Sequence, residues 1–261
     1  MQLKGPNYFS FNGRRSTDYK MYSQTAPVYS LPERQIEWIT VPGRAGDLLV
    51  EQGGYSNALV SYDCFFEGGP AQGSLISSWL YGAGGYADLR DSYLPGVFRR
   101  ATFAGPLEFT YIGRGRQIGK GAITFACKPQ LYTDEGQKPI VLPIVDGSFD
   151  TTGLGVIYNP YPFAAWPLIQ IEGRASQIVT VQNAAGVKRL RCSTMDRAEV
   201  DCEMMNMHRG DTNLNSYLDV LTDFPTLEPG ENIISMSRKA EIDDGSAPKA
   251  KLSIVPRWWH L

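Results

Sequence analysis

Residues 224–232 read Phe-Pro-Thr-Leu-Glu-Pro-Gly-Glu-Asn, and Pro256-Arg257-Trp258-Trp259 stands close to the last residue, Leu261. Two prolines and a glycine in the first stretch rule out a helix and mark a turn, which leads into the alternating run Asn232-Ile-Ile-Ser-Met236. A covered indole buries about 200 Å². Two adjacent ones therefore make this segment a docked strand, where a frayed end would carry polar residues. Something in the fold has to cover Trp258 and Trp259.

Working outward, the same period of two recurs along the chain of 261 residues. Val60, Tyr62, Cys64 and Phe66 alternate with Ser61 and Asp63, and Ile123, Phe125 and Cys127 alternate with Thr124 and Ala126. Pro167-Leu-Ile-Gln-Ile171, Ile178-Val-Thr-Val-Gln182 and Lys188-Arg-Leu-Arg-Cys192 repeat the pattern at sandwich-like spacing, with Gly186 and Gly230 at turn positions. One segment differs: in Gly73-Ser-Leu-Ile-Ser-Ser-Trp-Leu-Tyr-Gly82 the residues Leu75, Ile76, Trp79 and Leu80 share one helical face, with Ser74 as N-cap and Gly82 as stop. The fold class expected is all-β with one short helix, in two β-sandwich-type domains. Regular alternation stops after Cys127-Lys-Pro129 and a polar stretch runs from Thr133 to Lys138, which divides the chain into 1–130 and 131–261.

Composition narrows the function. A net charge of −2 gives no electrostatic reason to grip nucleic acid, which requires a clustered basic face. Cys64, Cys127, Cys192 and Cys202 are far apart and unpaired by any C-x-x-C spacing, so they read as small buried hydrophobes and no metal or other cofactor is expected. No run reaches the ~20 apolar residues of a membrane span, and the N-terminus has no apolar signal core, so a soluble protein made in a reducing cytoplasm is expected.

Catalytic signatures are weak. Glu199, Asp201 and Glu203 alternate with Val200, Cys202 and Met204 as the solvated face of a strand does, and Asp196, Glu241, Asp243 and Asp244 complete the carboxylate clusters. No G-x-S-x-G elbow or H-E-x-x-H is present. No catalytic residue is assigned, and no enzymatic activity is expected. Arg114-Gly-Arg-Gln-Ile-Gly-Lys-Gly121 lacks the register of a phosphate loop and reads as a basic hairpin, with Arg114, Arg116 and Lys120 as candidate loop or lumen residues and Arg99 and Arg100 nearby in sequence. Trp166, Trp258 and Trp259, with Tyr158, Tyr161 and Phe163, are candidate sugar-stacking or core aromatics. Pro42-Gly43-Arg44 forms a tight turn whose glycine supplies a positive φ, with Arg44 at its tip, and is the candidate subunit contact.

Three blocks, in order, carry a family resemblance: Ile36-Glu-Trp-Ile-Thr-Val-Pro-Gly-Arg-Ala-Gly-Asp47; Ile157-Tyr-Asn-Pro160 with Trp166-Pro-Leu-Ile-Gln-Ile-Glu-Gly173; and the stretch from Phe224 to Asn232 followed by Pro256-Arg-Trp-Trp259. In these the chain resembles the distal tail protein (Dit) family of siphophages. The resemblance implies an N-terminal domain that assembles into a homohexameric ring and a galectin-like C-terminal domain whose last strand can dock back on the first. It implies as partners the major tail tube protein and a tail-associated hub or fibre protein, with receptor-binding proteins or host saccharide at the periphery. DNA would pass through the lumen without specific binding, and the protein would reside in the virion tail tip after assembly in the host cytoplasm. Two other readings stand beside it: a host-glycan-binding, lectin-like adhesion module acting alone, and a tail-tip glycosidase using Glu199 or Asp201.

Overall fold

The computed structural model describes residues 7–143, 155–173, 175–194, 196–239 and 251–261. The described residues are all-β apart from short 3-10 turns and one α-helix, Gly69–Tyr81. Contacts divide the chain into two compact units, Met1–Leu131 with Leu261, and Tyr132–His260.

In the first unit the strand order is Arg14–Arg15, Phe9–Phe11, Ala87–Asp91, Val97–Phe103, Ile118–Thr133, Ala58–Glu67, Met21–Ser23. Its spine is the antiparallel pair from Ala58↔Cys127 to Glu67↔Ile118. Alternation puts Val60, Tyr62, Cys64 and Phe66 of one strand and Ile123, Phe125 and Cys127 of the other in the core, joined by Phe9 and Phe11. Tyr62 is fully buried and keeps its hydroxyl bonded to Asp91 Oδ2 at 3.0 Å, an oxygen that also accepts from Tyr29 at 2.8 Å. Burial first, and then the Asp91 carboxylate, push the Tyr62 phenol well up, so it serves as a donor.

The helix begins earlier than Ser74 and uses a narrower face than its spacing suggested. Gly68, at φ 114°, is its N-cap, and the N–H groups of Gly68 and Gly69 both donate to the carbonyl of Gln117. Pro70 then sits in the first turn, where its missing N–H costs nothing. Ser74 lies inside the helix, its carbonyl accepting from the Ser78 hydroxyl. Gly73 is required by packing, since a Cβ there would lie 2.3 Å from the Tyr111 hydroxyl. Ile76, Trp79 and Leu80 are buried, whereas Leu75 is 58% exposed: a residue next to Ile76 along the helix points about 100° away from it. Gly82 ends the helix, its N–H donating to Ser78 at 3.0 Å. Trp79 stacks on Tyr19 at 4.5 Å and on Phe9 at 5.8 Å, and donates from Nε1 to the Phe11 carbonyl at 3.2 Å.

The second unit has two sheets. One runs Ile140–Leu142, Lys251–Val255, Leu168–Glu172, Arg197–Asp201, Asn206–Arg209, Thr212–Asn213; the other runs Gly155–Asn159, Gly230–Lys239, Ala175–Asn183, Gly186–Thr194. Each buries one face: Ile169, Ile171, Ala198, Val200, Leu252 and Ile254 in the first, and Val179, Val181, Leu190, Ile234 and Met236 in the second. This is sandwich patterning.

Three asparagines explain the stretch at 224–232. Only from Gly230 does its backbone join a ladder, so side chains satisfy much of the part before it. Asn232, fully buried, donates to the carbonyls of Glu228 and Ile157, while its Oδ1 accepts from the Glu228 N–H and from Asn183 Nδ2. Asn183 also donates to Thr226, and Asn159 to Leu227 and Phe163. Leu227 closes a two-bond bridge with Ala165.

Replacing Trp79 with alanine leaves a cavity bordered by Phe9 and Tyr19 and should cost about 3–5 kcal/mol. Chemical denaturation followed by circular dichroism checks it; a loss below about 1 kcal/mol would show that Trp79 does not seal this core.

Candidate functional site

Among the described residues Arg34–Ile39 and Leu48–Tyr55 pair only with each other, in register Ile36↔Glu51, Glu37↔Val50, Trp38↔Leu49, Ile39↔Leu48. Directly opposed residues share a face. One face therefore carries Ile36, Trp38 and Leu49, and the other carries Ile39, Leu48 and Val50. Every residue of the first strand is exposed, and Trp38 keeps 60% of its surface in solvent. An isolated two-stranded ribbon is marginal in water, and apolar side chains on both of its faces cannot all be covered by its own unit. This ribbon, or arm, is therefore the candidate interaction surface of the first unit.

Its tip is well defined. Arg44 donates from its backbone N–H to Val41 at 3.2 Å, with Pro42 and Gly43 (φ 80°) between them, the arrangement of a type II turn. Thr40 Oγ1 donates to Asp47 Oδ1 at 2.8 Å across the neck of the loop, and Arg34 pairs with Glu51 at 3.4 Å nearer the base. Pro42, Gly43 and Arg44 are all exposed. Sequence reading singled out the tip and missed the apolar flanks behind it. Their signal was present: apolar residues at both parities, Ile36, Trp38 and Leu49 on one and Ile39, Leu48 and Val50 on the other, where a half-buried strand has them at one.

The basic hairpin forms as Thr110–Ile112 against Ile118–Lys120, in register Thr110↔Lys120 and Ile112↔Ile118. Arg114, Arg116 and Lys120 are exposed. Arg99 and Arg100 are engaged on another strand, Arg100 with Asp88 at 2.9 Å and Arg99 over the ring of Tyr29.

The carboxylates do not form one solvated face. Asp201 is only 9% exposed and holds Arg257 through two bonds, 2.9 Å from Nη1 to Oδ1 and 2.8 Å from Nη2 to Oδ2. Oδ1 also accepts the N–H groups of Glu203 and Met204. Burial alone would raise this carboxyl; Arg257 and the two N–H groups outweigh it and hold it below its ordinary value. Asp201 is a tether for the tail segment, and a lowered carboxyl is the wrong group for a general acid. Glu199 accepts from Gln170 and Arg197. Glu241, Asp243 and Asp244 lie outside the described residues.

The tail indoles have the cover their size requires. Trp258 and Trp259 are buried; Trp259 stacks on Phe163 at 4.5 Å and donates to the Ala164 carbonyl at 2.9 Å. The Thr133 N–H donates to the Trp258 carbonyl, and Gly136 approaches so closely that a Cβ would fall 2.3 Å from the Trp258 nitrogen. Neither ring presents a face to solvent, while Trp166 keeps 36% exposure. All four cysteines are free and buried, and desolvation raises the thiols of Cys64, Cys127 and Cys192 to about 12. They remain protonated and unreactive.

Comparison of the sequence with protein families and with characterised proteins gives no match. Comparison of the fold does. The chain is similar to the SPP1 Dit protein (gp 19.1), described as a hub of the adsorption apparatus in phages infecting Gram-positive hosts: TM-score 0.65, 12% identity, over 98% of this chain and 100% of that one. It is also similar to chains of the phage P2 baseplate in its activated conformation with Ca (TM-score 0.54, 11% identity, 95% and 97% covered) and with Sr (0.55, 12%, 96% and 98%). The fold is thus a Dit-like one over nearly its whole length.

Breaking the Asp201–Arg257 tether tests its role. Arg257→Ala should cost about 2–4 kcal/mol, somewhat under the ~3–5 of a fully buried pair because the Arg257 side chain keeps 20% exposure. Because the folded carboxyl titrates below the unfolded value near 3.9, its stabilisation is complete above about pH 4 and disappears as pH falls through the folded value. Asp201→Asn should therefore lower the melting temperature at pH 7 and flatten its dependence on pH in the acid range. An unchanged acid limb would refute the assignment.

Proposed function

We propose that this chain is a non-enzymatic structural protein of a phage tail tip, located in the virion. Copies of the first unit close into a hexameric ring that joins the tail tube to a tail-associated hub or fibre protein, and DNA passes through the lumen. The observation that carries this reading is the arm: a ribbon apolar on both faces, in a chain with the fold of Dit and baseplate proteins. A head-to-tail contact repeated around a closed rotation covers every arm with the next copy and leaves no free ribbon.

In that ring Pro42, Gly43 and Arg44 reach the neighbouring copy along with Trp38, Ile36 and Leu49, and Arg114, Arg116 and Lys120 are basic groups available to the lumen. A net charge of −2 suits a conduit, since a strongly cationic wall would hold DNA in place. The second unit stands at the periphery, where receptor-binding proteins or host saccharide are reached.

Light scattering across a gel-filtration peak, with negative-stain images of the same fraction, tests the ring against the 28.9 kDa of one chain. A hexamer with a central hole is expected, from the chain alone or after co-expression with the hub protein. A monomer under both conditions would sink the proposal. Trp38→Asp combined with Leu49→Asp should abolish assembly and leave the melting temperature of the monomer unchanged, because both residues are solvent-exposed in one copy; loss of fold in place of loss of assembly would show that the arm serves its own unit.

A further inference from the structure

A cleft of the second unit lies on the solvent side of its four-stranded sheet, away from the buried face. Its floor is set by register. Ser176 stands opposite Ser193, and Ile178 stands between Arg191 and Ser237 on the two neighbouring strands, so these five side chains share one face. The wall is the segment Ser216–Asp219, fixed to the sheet by a bridge between Cys192 and Leu218 and by the Asp219 N–H donating to the Arg191 carbonyl at 3.0 Å. Asp219 in turn accepts the Leu221 N–H, and the Arg191 guanidinium donates to the Leu221 carbonyl. The wall is therefore held in place before any ligand arrives.

The cleft encloses about 630 Å³, within the ~300–1,000 Å³ that small-ligand sites occupy. Its chemistry is narrow. Of the charged residues lining it, Arg191 and Asp219 cancel, so it offers no net field for a phosphate or a nucleotide. Ile178 and Leu218 are too little apolar surface for a lipid chain. Most of the polar side chains that line it carry hydroxyls: Ser176 and Ser193 bond each other at 3.1 Å, and among the described residues the hydroxyls of Ser216, Ser237 and Tyr217 have no hydrogen-bond partner. Each can donate and accept at once, which is what a polyhydroxylated ligand needs of its site. Tyr217, 39% exposed, adds an aromatic face at the rim against which the C–H side of a sugar ring can pack.

The geometry points to this cleft as a binding site for a short, uncharged oligosaccharide. The site belongs to the second unit and is independent of ring assembly. It uses none of Trp166, Trp258 and Trp259. Recognition rests on hydroxyl pairs and one aromatic ring, so binding is weak in a single copy, and several copies on one particle would multiply it.

Saturation-transfer NMR against purified di- and trisaccharides built from hexose, deoxyhexose and N-acetylhexosamine units, followed by titration of each hit, tests the site. At least one saccharide should bind with a dissociation constant of about 1 mM or tighter. Tyr217→Ala and Ser237→Leu should each weaken it about tenfold or more, while Gln182→Ala, on the same sheet face beyond the cleft, leaves it unchanged. If Ser237→Leu fails to fold, Ser216→Ala with Tyr217→Ala carries the test at exposed positions. Silence of the whole panel at about 10 mM, or hits that ignore the cleft variants, would overturn the inference. The ring is read from particle mass and this site from saccharide binding, so either can fail without the other.

Discussion

A β-strand has two faces, and in a unit of this size most strands have only one of them covered. Most of what distinguishes this chain follows from how that constraint is met. In the long strands of the first unit, alternation sends Val60, Tyr62, Cys64 and Phe66 inward, and the only α-helix among the described residues is spent on sealing that side, with Trp79 between Tyr19 and Phe9. The arm breaks the rule by being apolar on both faces, and the four-stranded sheet keeps it by leaving an outer face of mixed polar and apolar residues on which a cleft is built.

Backbone satisfaction is the second theme. Where strands pair, ladders take care of the N–H and C=O groups; where they do not, asparagine side chains do. Asn159, Asn183 and Asn232 hold the stretch at 224–232 against strands that lie far from it in sequence, through bonds of 2.8–3.2 Å. Nearby, one ion pair performs the equivalent task for the tail. Arg257 is clamped by Asp201, and the indoles that follow it settle against Phe163, Ala164 and Gly136. A buried pair of this kind adds little net stability over well-packed apolar residues, yet removing one partner costs a great deal, since that strands a charge.

On the proposed reading, the arm and the cleft divide the labour between the two units. The apolar surface of the first would meet a neighbouring copy, and the hydroxyls and one ring of the second would meet a small polar ligand. The combination is coherent for a tail-tip protein, where one part must build a conduit and the other must meet the outside. It also accounts for the near-neutral charge, because neither an apolar arm nor a hydroxyl-lined cleft relies on a long-range field.

The sequence by itself determined the alternation of the strands, the existence of the helix and its stop at Gly82, the tight turn with a positive φ at Pro42-Gly43, and the burial of Trp258 and Trp259, because each depends on residues a few positions apart. Only the tertiary structure decided the rest. The helix starts at Gly68 because the carbonyl of Gln117, distant in sequence, accepts its first N–H groups. Asp201 is buried and paired although its neighbours alternate like a solvated face, because Arg257 arrives from the segment that follows the strand Lys251–Val255. The exposure of Trp38 and the gathering of Ser176, Ser193, Ser237 and Tyr217 into one cleft were equally hidden, since a pattern of residues records which side of a strand a group takes and never what lies opposite that side.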